Sequence, residues 1–274
     1  MVIVGAILAA GGLVAWWVTR RAPLVTRPDP VPASVLIRNV TVIDVVAGKA
    51  SAGMDVVIEG ATIARVVPHS TSETAALVID GTGMTVIPGL IDVHCHLLGP
   101  ASPPWRLALP DVDENLERHL YAGVTRVFDP AAETPDIFEV RREVNEEGRL
   151  GPVIHAAGPM FTATGGHPVP LIKQFAPWFL AGSMIDAMAR QVDTEAQAVA
   201  ALDALRPSSP DFIKIAMDRI PPDAPRLDNA VAAALIRAAK EHGLRTVAHI
   251  GTTQDALDAA KAGVAAWVHG VYRE

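Results

Sequence analysis

The sequence predicts an α/β protein built as a (β/α)8, TIM-like barrel that is incomplete at about six of eight βα units, with a small β-rich portion ahead of it. Three observations carry this. From residue 85 onward, apolar runs of four to eight residues alternate with segments of helical period. Between 35 and 67 the β-branched runs are broken by turn glycines instead of helices. Imidazoles and a lysine recur at the C-terminal ends of the later strands, the face on which barrel enzymes build their sites. An open doubly wound sheet shares the alternation, but no glycine-rich G-x-G-x-x-G follows the first strand.

Composition narrows the classes further. Hydrophobic residues are 50% of the 274 and charged residues 19%, enough apolar surface for a core. A net charge of -7 without a basic run excludes a nucleic-acid surface, because phosphate binding needs clustered Lys and Arg. The single cysteine, Cys95, excludes an intramolecular disulfide, a cysteine-only zinc site and an iron-sulfur site.

Residues 1–21 read as a transmembrane anchor or signal segment. Positions 1–19 carry no charged side chain and would span roughly 28 Å as a helix, with Trp16 and Trp17 as an interfacial belt and Arg20 and Arg21 as a charged stop. The expectation is a membrane-anchored or exported protein, on a side the sequence leaves open. Residues 22–34, with four prolines, read as a stiff linker. Residues 35–84 hold the small β portion, with hairpin turns at Ala47-Gly48 and Glu59-Gly60, and residues 85–274 hold the partial barrel.

Strands are expected at 85–93, 124–128, 152–157, 211–217, 245–249 and 264–268. The intervening helices carry their own end signals. Asp111 with Glu114, Thr134-Pro135, Thr194 with Gln197 and Thr252 with Asp255 read as N-terminal caps; Gly123, Gly148, Gly243 and Gly263 read as stops.

The chemistry concentrates at strand ends. In TVIPGLIDVHCHL, strand alternation points His94 and His96 one way and Cys95 the other, and puts Asp92 on the histidines' side. Two such imidazoles suit Zn²⁺ and related ions. In DFIKIAM, Lys214 shares a face with Phe212 and Ala216, and an ammonium buried among apolar neighbours tends to lose its proton. A neutral amine can capture CO2 as a carbamate. LRTVAHIG ends in His249 and VAAWVHG in His269. In the loop from Gly158 to Pro170, Gly165 and Gly166 permit unusual backbone angles near a ligand, and His167 is a candidate substrate contact.

GLIDVHCHL, AGVTRVFD, FIKIAMD, TVAHIGT and WVHG, behind a small β unit, together resemble the amidohydrolase superfamily, specifically its imidazolonepropionase- and prolidase-like branch, over roughly residues 35–274. The resemblance implies a β-sandwich portion beside a distorted barrel and two divalent metals, Zn²⁺ being the expected ion. It places His94 and His96 on the first metal, His249 and His269 on the second, and carboxylated Lys214 between them. It implies hydrolysis of a small amide, a dipeptide of Xaa-Pro type or a cyclic amide, with Arg219 a candidate partner for a substrate carboxylate. A homo-oligomer is compatible with it. The family pattern also has an aspartate at the end of the eighth strand that nothing here matches. The expectation is therefore a C-terminally truncated chain, with weak metal binding and low turnover, the alternative being a catalytically disabled fragment.

Overall fold

The computed structural model describes residues 22–99, 111–134 and 136–274. The chain divides between Ile87 and Pro88 into two compact units.

The first unit is one five-stranded sheet. Strands β1 (Ser34–Asp44), β2 (Lys49–Glu59) and β3 (Thr62–Pro68) run antiparallel, while β4 (Leu77–Asp80) and β5 (Thr85–Val86) pair parallel to β1. The hairpin turns fall where expected, with Gly48 and Gly60 at φ 64° and 58°, the left-handed region a side chain disfavours. Inside it, the fully buried Asp55 carboxylate accepts from the backbone of Asn39 and Ser70 and faces His69 Nδ1 at 2.8 Å.

In the second unit the expected alternation is present. Parallel strands β6 (Leu90–Asp92), β7 (Val124–Asp129) and β8 (Val153–Ala156) form one sheet. Strands β9 (Met160–Thr162), β10 (Ala189–Gln191), β11 (Phe212–Ala216), β12 (Arg245–His249) and β13 (Ala266–Trp267) form another, in the order β10-β9-β11-β12-β13. The Asp211 amide donates to the Ala156 carbonyl at 2.9 Å where the two sheets meet. Helices α1 (Val112–Tyr121), α2 (Asp136–Asn145), α3 (Val169–Phe175), α4 (Ala181–Met188), α5 (Glu195–Leu205), α6 (Asn229–Glu241) and α7 (Thr253–Ala262) lie between the strands in sequence. The main apolar core combines Leu116 and Ile137 from helices with Val127, Ile154, Ile213 and Ile215 from strands.

Four expectations are corrected. Among the described residues the parallel strands form two sheets and no closed barrel. The single strand expected at 85–93 is interrupted, because Thr85 and Val86 pair with β1 of the first unit and a separate β6 starts at Leu90. Thr134 does not cap a helix: its buried Oγ1 has no hydrogen-bond partner, and Pro135 lies outside the described residues. Finally, among the described residues no helix is long and apolar enough to cross a membrane, which overturns the membrane-anchored reading and the location built on it; residues 1–21 lie outside the described residues. The other caps form as expected. Thr194 with Gln197 and Thr252 with Asp255 each make a reciprocal capping box, Asp111 accepts from the Glu114 amide, and Gly123, Gly148, Gly243 and Gly263 all adopt positive φ.

Candidate active site

Four of the expected imidazoles come from the ends of parallel strands, and His167 comes from the loop after β9. His94 and His96 follow β6, whose pairing ends at Asp92, and the chain is held there by the Cys95 amide donating to the Phe128 carbonyl of β7 at 3.1 Å. His94 Nδ1 lies 2.8 Å from the Val268 carbonyl, and His96 Nδ1 lies 2.8 Å from the Ala131 carbonyl. A carbonyl only accepts, so both rings carry their proton on Nδ1 and leave the Nε2 lone pair free, the arrangement that orients metal-ligating histidines.

His249 is the last residue of β12, and His269 follows β13 by two positions. The rings converge. Centroids of His94 and His269 are 4.6 Å apart, His249 and His269 4.3 Å, His94 and His96 5.3 Å, and His167 stacks on His249 at 4.6 Å.

Lys214 sits mid-strand in β11. Its neighbours Ile213, Ile215 and Met217 enter the apolar core on the other face, as alternation requires, and Lys214 itself is 2% exposed. Among the described residues no carboxylate lies within ion-pair distance of its ammonium. A 460 Å³ cavity is lined by His96, His167, Lys214, His249 and His269, with Met160, Met184, Met188 and Leu98 as apolar wall and Glu133 among its lining residues. His94 lines a different cavity, of 650 Å³, with Phe128, His155 and Trp267.

Burial sets the electrostatics. It draws Lys214 down to about 8, against a smaller opposing pull from Asp129. It draws His249 down to about 3, and His167 and His269 to about 4, with the neighbouring cations adding to the effect. His94 shifts the same way. Near neutral pH these rings are therefore neutral, the form that ligates metal. Two of their nitrogens, His167 Nδ1 and His249 Nε2, are buried without a hydrogen bond. Nitrogen donors that are neutral, convergent and in part unpartnered fit a divalent cation of Zn²⁺ type.

Three expected residues stand apart from this gathering. The Arg219 guanidinium donates to the Ala224 carbonyl at 2.9 Å and does not line the cavity. Gly166 is required by its own loop, since a Cβ there would lie 2.5 Å from Thr162 Oγ1 and 2.9 Å from the Pro225 carbonyl. Asp92 does not line the cavity: one carboxylate oxygen caps the His94 amide at 2.9 Å, and the carboxylate groups with Cys95 and His119.

Two carboxylates escaped the sequence reading. Asp129 ends β7 fully buried, accepts from the Leu97 amide at 2.8 Å and lies 3.7 Å from His96 Nδ1. Asp218, four residues after Lys214, is 1% exposed and lies 3.4 Å from His249 Nε2. Burial opposes its ionisation, but the Tyr272 hydroxyl, the Arg219 amide and the Arg273 guanidinium outweigh this and hold it below the usual carboxylate range. Gly251 is glycine because a Cβ would come 2.4 Å from this carboxylate. The signal available in the sequence was position at or just past a parallel strand's C-terminal end, which a turn residue shares.

Parallel βα units with polar side chains gathered at the C-terminal strand ends define an α/β protein. More particularly, the chain belongs to the amidohydrolase family, whose model matches residues 85–272. Among curated proteins it is similar to an adenine deaminase of Rubrobacter xylanophilus, 37% identical over 81 residues, which is 29% of this chain and 13% of that one. It is also similar to a dihydroorotase of Pelotomaculum thermopropionicum, 46% identical over 66 residues, 24% of this chain and 15% of that one. Among solved structures it resembles a Xaa-Pro dipeptidase with bound methionine in the active site, at TM-score 0.69 and 22% identity, covering 88% of this chain and 62% of that one. Phenylurea hydrolase B gives TM-score 0.69 at 20% identity, covering 88% and 60%. At these identities the structural likeness speaks to the fold, and the chain spans about three fifths of the solved relatives' length.

Proposed function

We propose that this cavity is the site of a metal-dependent hydrolase that cleaves the C–N bond of a small amide, a dipeptide or a cyclic amide. The observation that carries this is Lys214: a buried, unpaired amine on the wall of a cavity rimmed by neutral imidazoles. On this reading His94 and His96 hold one divalent ion and His249 and His269 a second, with Lys214, as its carbamate, between them. On the same reading the unit that ends at Ile87 belongs to a small β-sandwich, and the βα units from Pro88 onward belong to a barrel.

When bound, two divalent ions of Zn²⁺ type supply a Lewis acid for the scissile carbonyl and lower the pKa of water toward neutrality. The protein's own groups prepare the place. At about 8, the Lys214 pKa leaves on the order of a tenth of the amine neutral at pH 7. That amine attacks CO2, the N–C bond forms, one N–H proton leaves to solvent, and a buried cation becomes an anion. The carbonyls of Val268 and Ala131 hold the His94 and His96 protons on Nδ1 and so aim both Nε2 lone pairs. Met160, Met184 and Met188 give the cavity a deformable apolar side that excludes water around the substrate. His167, stacked on His249, is the candidate substrate contact from the loop after β9.

The test is metal content and dipeptide hydrolysis by the purified protein. Chelation should abolish turnover, added Zn²⁺ with bicarbonate should restore it, and Lys214→Ala should lose bound metal and at least a hundredfold in rate. Turnover that survives chelation, or metal content unchanged in Lys214→Ala, would overturn the reading.

A further inference from the structure

At the end of β6, and outside the lining of the cavity, Asp92, Cys95 and His119 bring a carboxylate oxygen, a thiol sulfur and an imidazole nitrogen within 4.8 Å of one another. We propose that these three side chains form a second cation site, for a divalent ion of borderline softness such as Zn²⁺, Co²⁺ or Cd²⁺, separate from the cavity site and clamping helix α1 to the end of β6.

The donors are set for it. His119 Nδ1 lies 2.7 Å from the Asn115 carbonyl, which fixes its proton there and leaves Nε2 as the acceptor, 3.8 Å from Asp92 Oδ2. Asp92 is held by its other oxygen, which accepts from the His94 amide at 2.9 Å, so Oδ2 is the free one. Cys95 is fixed at its backbone by the Phe128 carbonyl, which accepts its amide at 3.1 Å, and its thiol is half-buried. Metal-ligand distances of about 2.0 to 2.3 Å at tetrahedral angles put neighbouring donors about 3.3 to 3.7 Å apart, so closure asks for about an ångström of side-chain movement. On binding, a metal–sulfur bond forms and the thiol proton leaves to solvent. Three protein donors of S, N and O type leave a fourth position for water.

Because the chain has one cysteine, a sulfur-to-cobalt charge-transfer band in the near ultraviolet reports on this site alone. Titration of the purified protein with Co²⁺ should give a saturable band that is absent in Cys95→Ser, while bound cobalt falls by one ion per chain. His119→Gln and Asp92→Asn should each raise the Co²⁺ concentration for half saturation of the band by about tenfold or more. Lys214→Ala should keep the band, which separates this site from the cavity metals. A wild-type protein without the band, His119→Gln and Asp92→Asn proteins that saturate like wild type, or loss of the band in Lys214→Ala would each overturn the proposal.

Discussion

Asp218 is the residue on which the local argument turns. Its carboxylate is buried, accepts from Tyr272, Arg273 and the Arg219 amide, and stands 3.4 Å from His249 Nε2. Asp218→Asn removes the charge and leaves Arg273, 28% exposed, without its partner. We expect a loss of about 1 to 3 kcal/mol in urea unfolding, below the full cost of breaking a buried pair because Arg273 still reaches water. The imidazoles and the lysine were legible beforehand, since strand alternation and position at a strand end are properties of the chain alone. Asp218 and Asp129 were not, because a carboxylate after a strand reads equally as a turn residue until its partners, 54 residues away in the case of Tyr272, are known.

At the scale of elements, legibility follows the number of residues that carry the signal. Capping boxes need four, and both were read correctly. Strands β9 and β10, of three residues each, have too short a run for a period of two to register, and they were missed. Thr134 shows a composition cue failing for want of geometry: it stands before a proline and a helix, yet its hydroxyl is buried and unpaired. The two threonines therefore make a paired prediction. Thr252→Val removes the oxygen that accepts from the Asp255 amide at 3.1 Å and should cost about 1 kcal/mol. Thr134→Val replaces an unsatisfied hydroxyl with a methyl group and should be neutral or stabilising in the same urea titration.

For the whole molecule, the site works against the fold that carries it. His249, His167 and His269 are lowered to between about 3 and 4 by burial, against about 6.5 in the unfolded chain. The unfolded state thus binds more protons between these values, so stability of the metal-free protein should rise with pH from about 4 to about 6.5. Lys214, at about 8 against about 10.5 unfolded, has the same sign over a higher window, and contributes on the order of 3 kcal/mol of further rise between those limits. The site's own contribution is therefore two steps separated by a plateau. Lys214→Met should erase the upper step and raise stability at pH 7, because an apolar side chain of similar length removes the cost of a buried, unpaired ammonium. Urea titrations of wild type and variant in CO2-free buffer check this from pH 4.5 to 10, and the difference between the two curves isolates the lysine. Metal binds the folded state through groups that must be unprotonated, so Zn²⁺ with CO2 should add stability that grows as pH climbs toward the Lys214 value, leaving both steps in place and steepening the rise below about 8. A variant that shows the upper step unchanged would mean that Lys214 meets solvent at the strand end and that the cavity is not built around a buried amine.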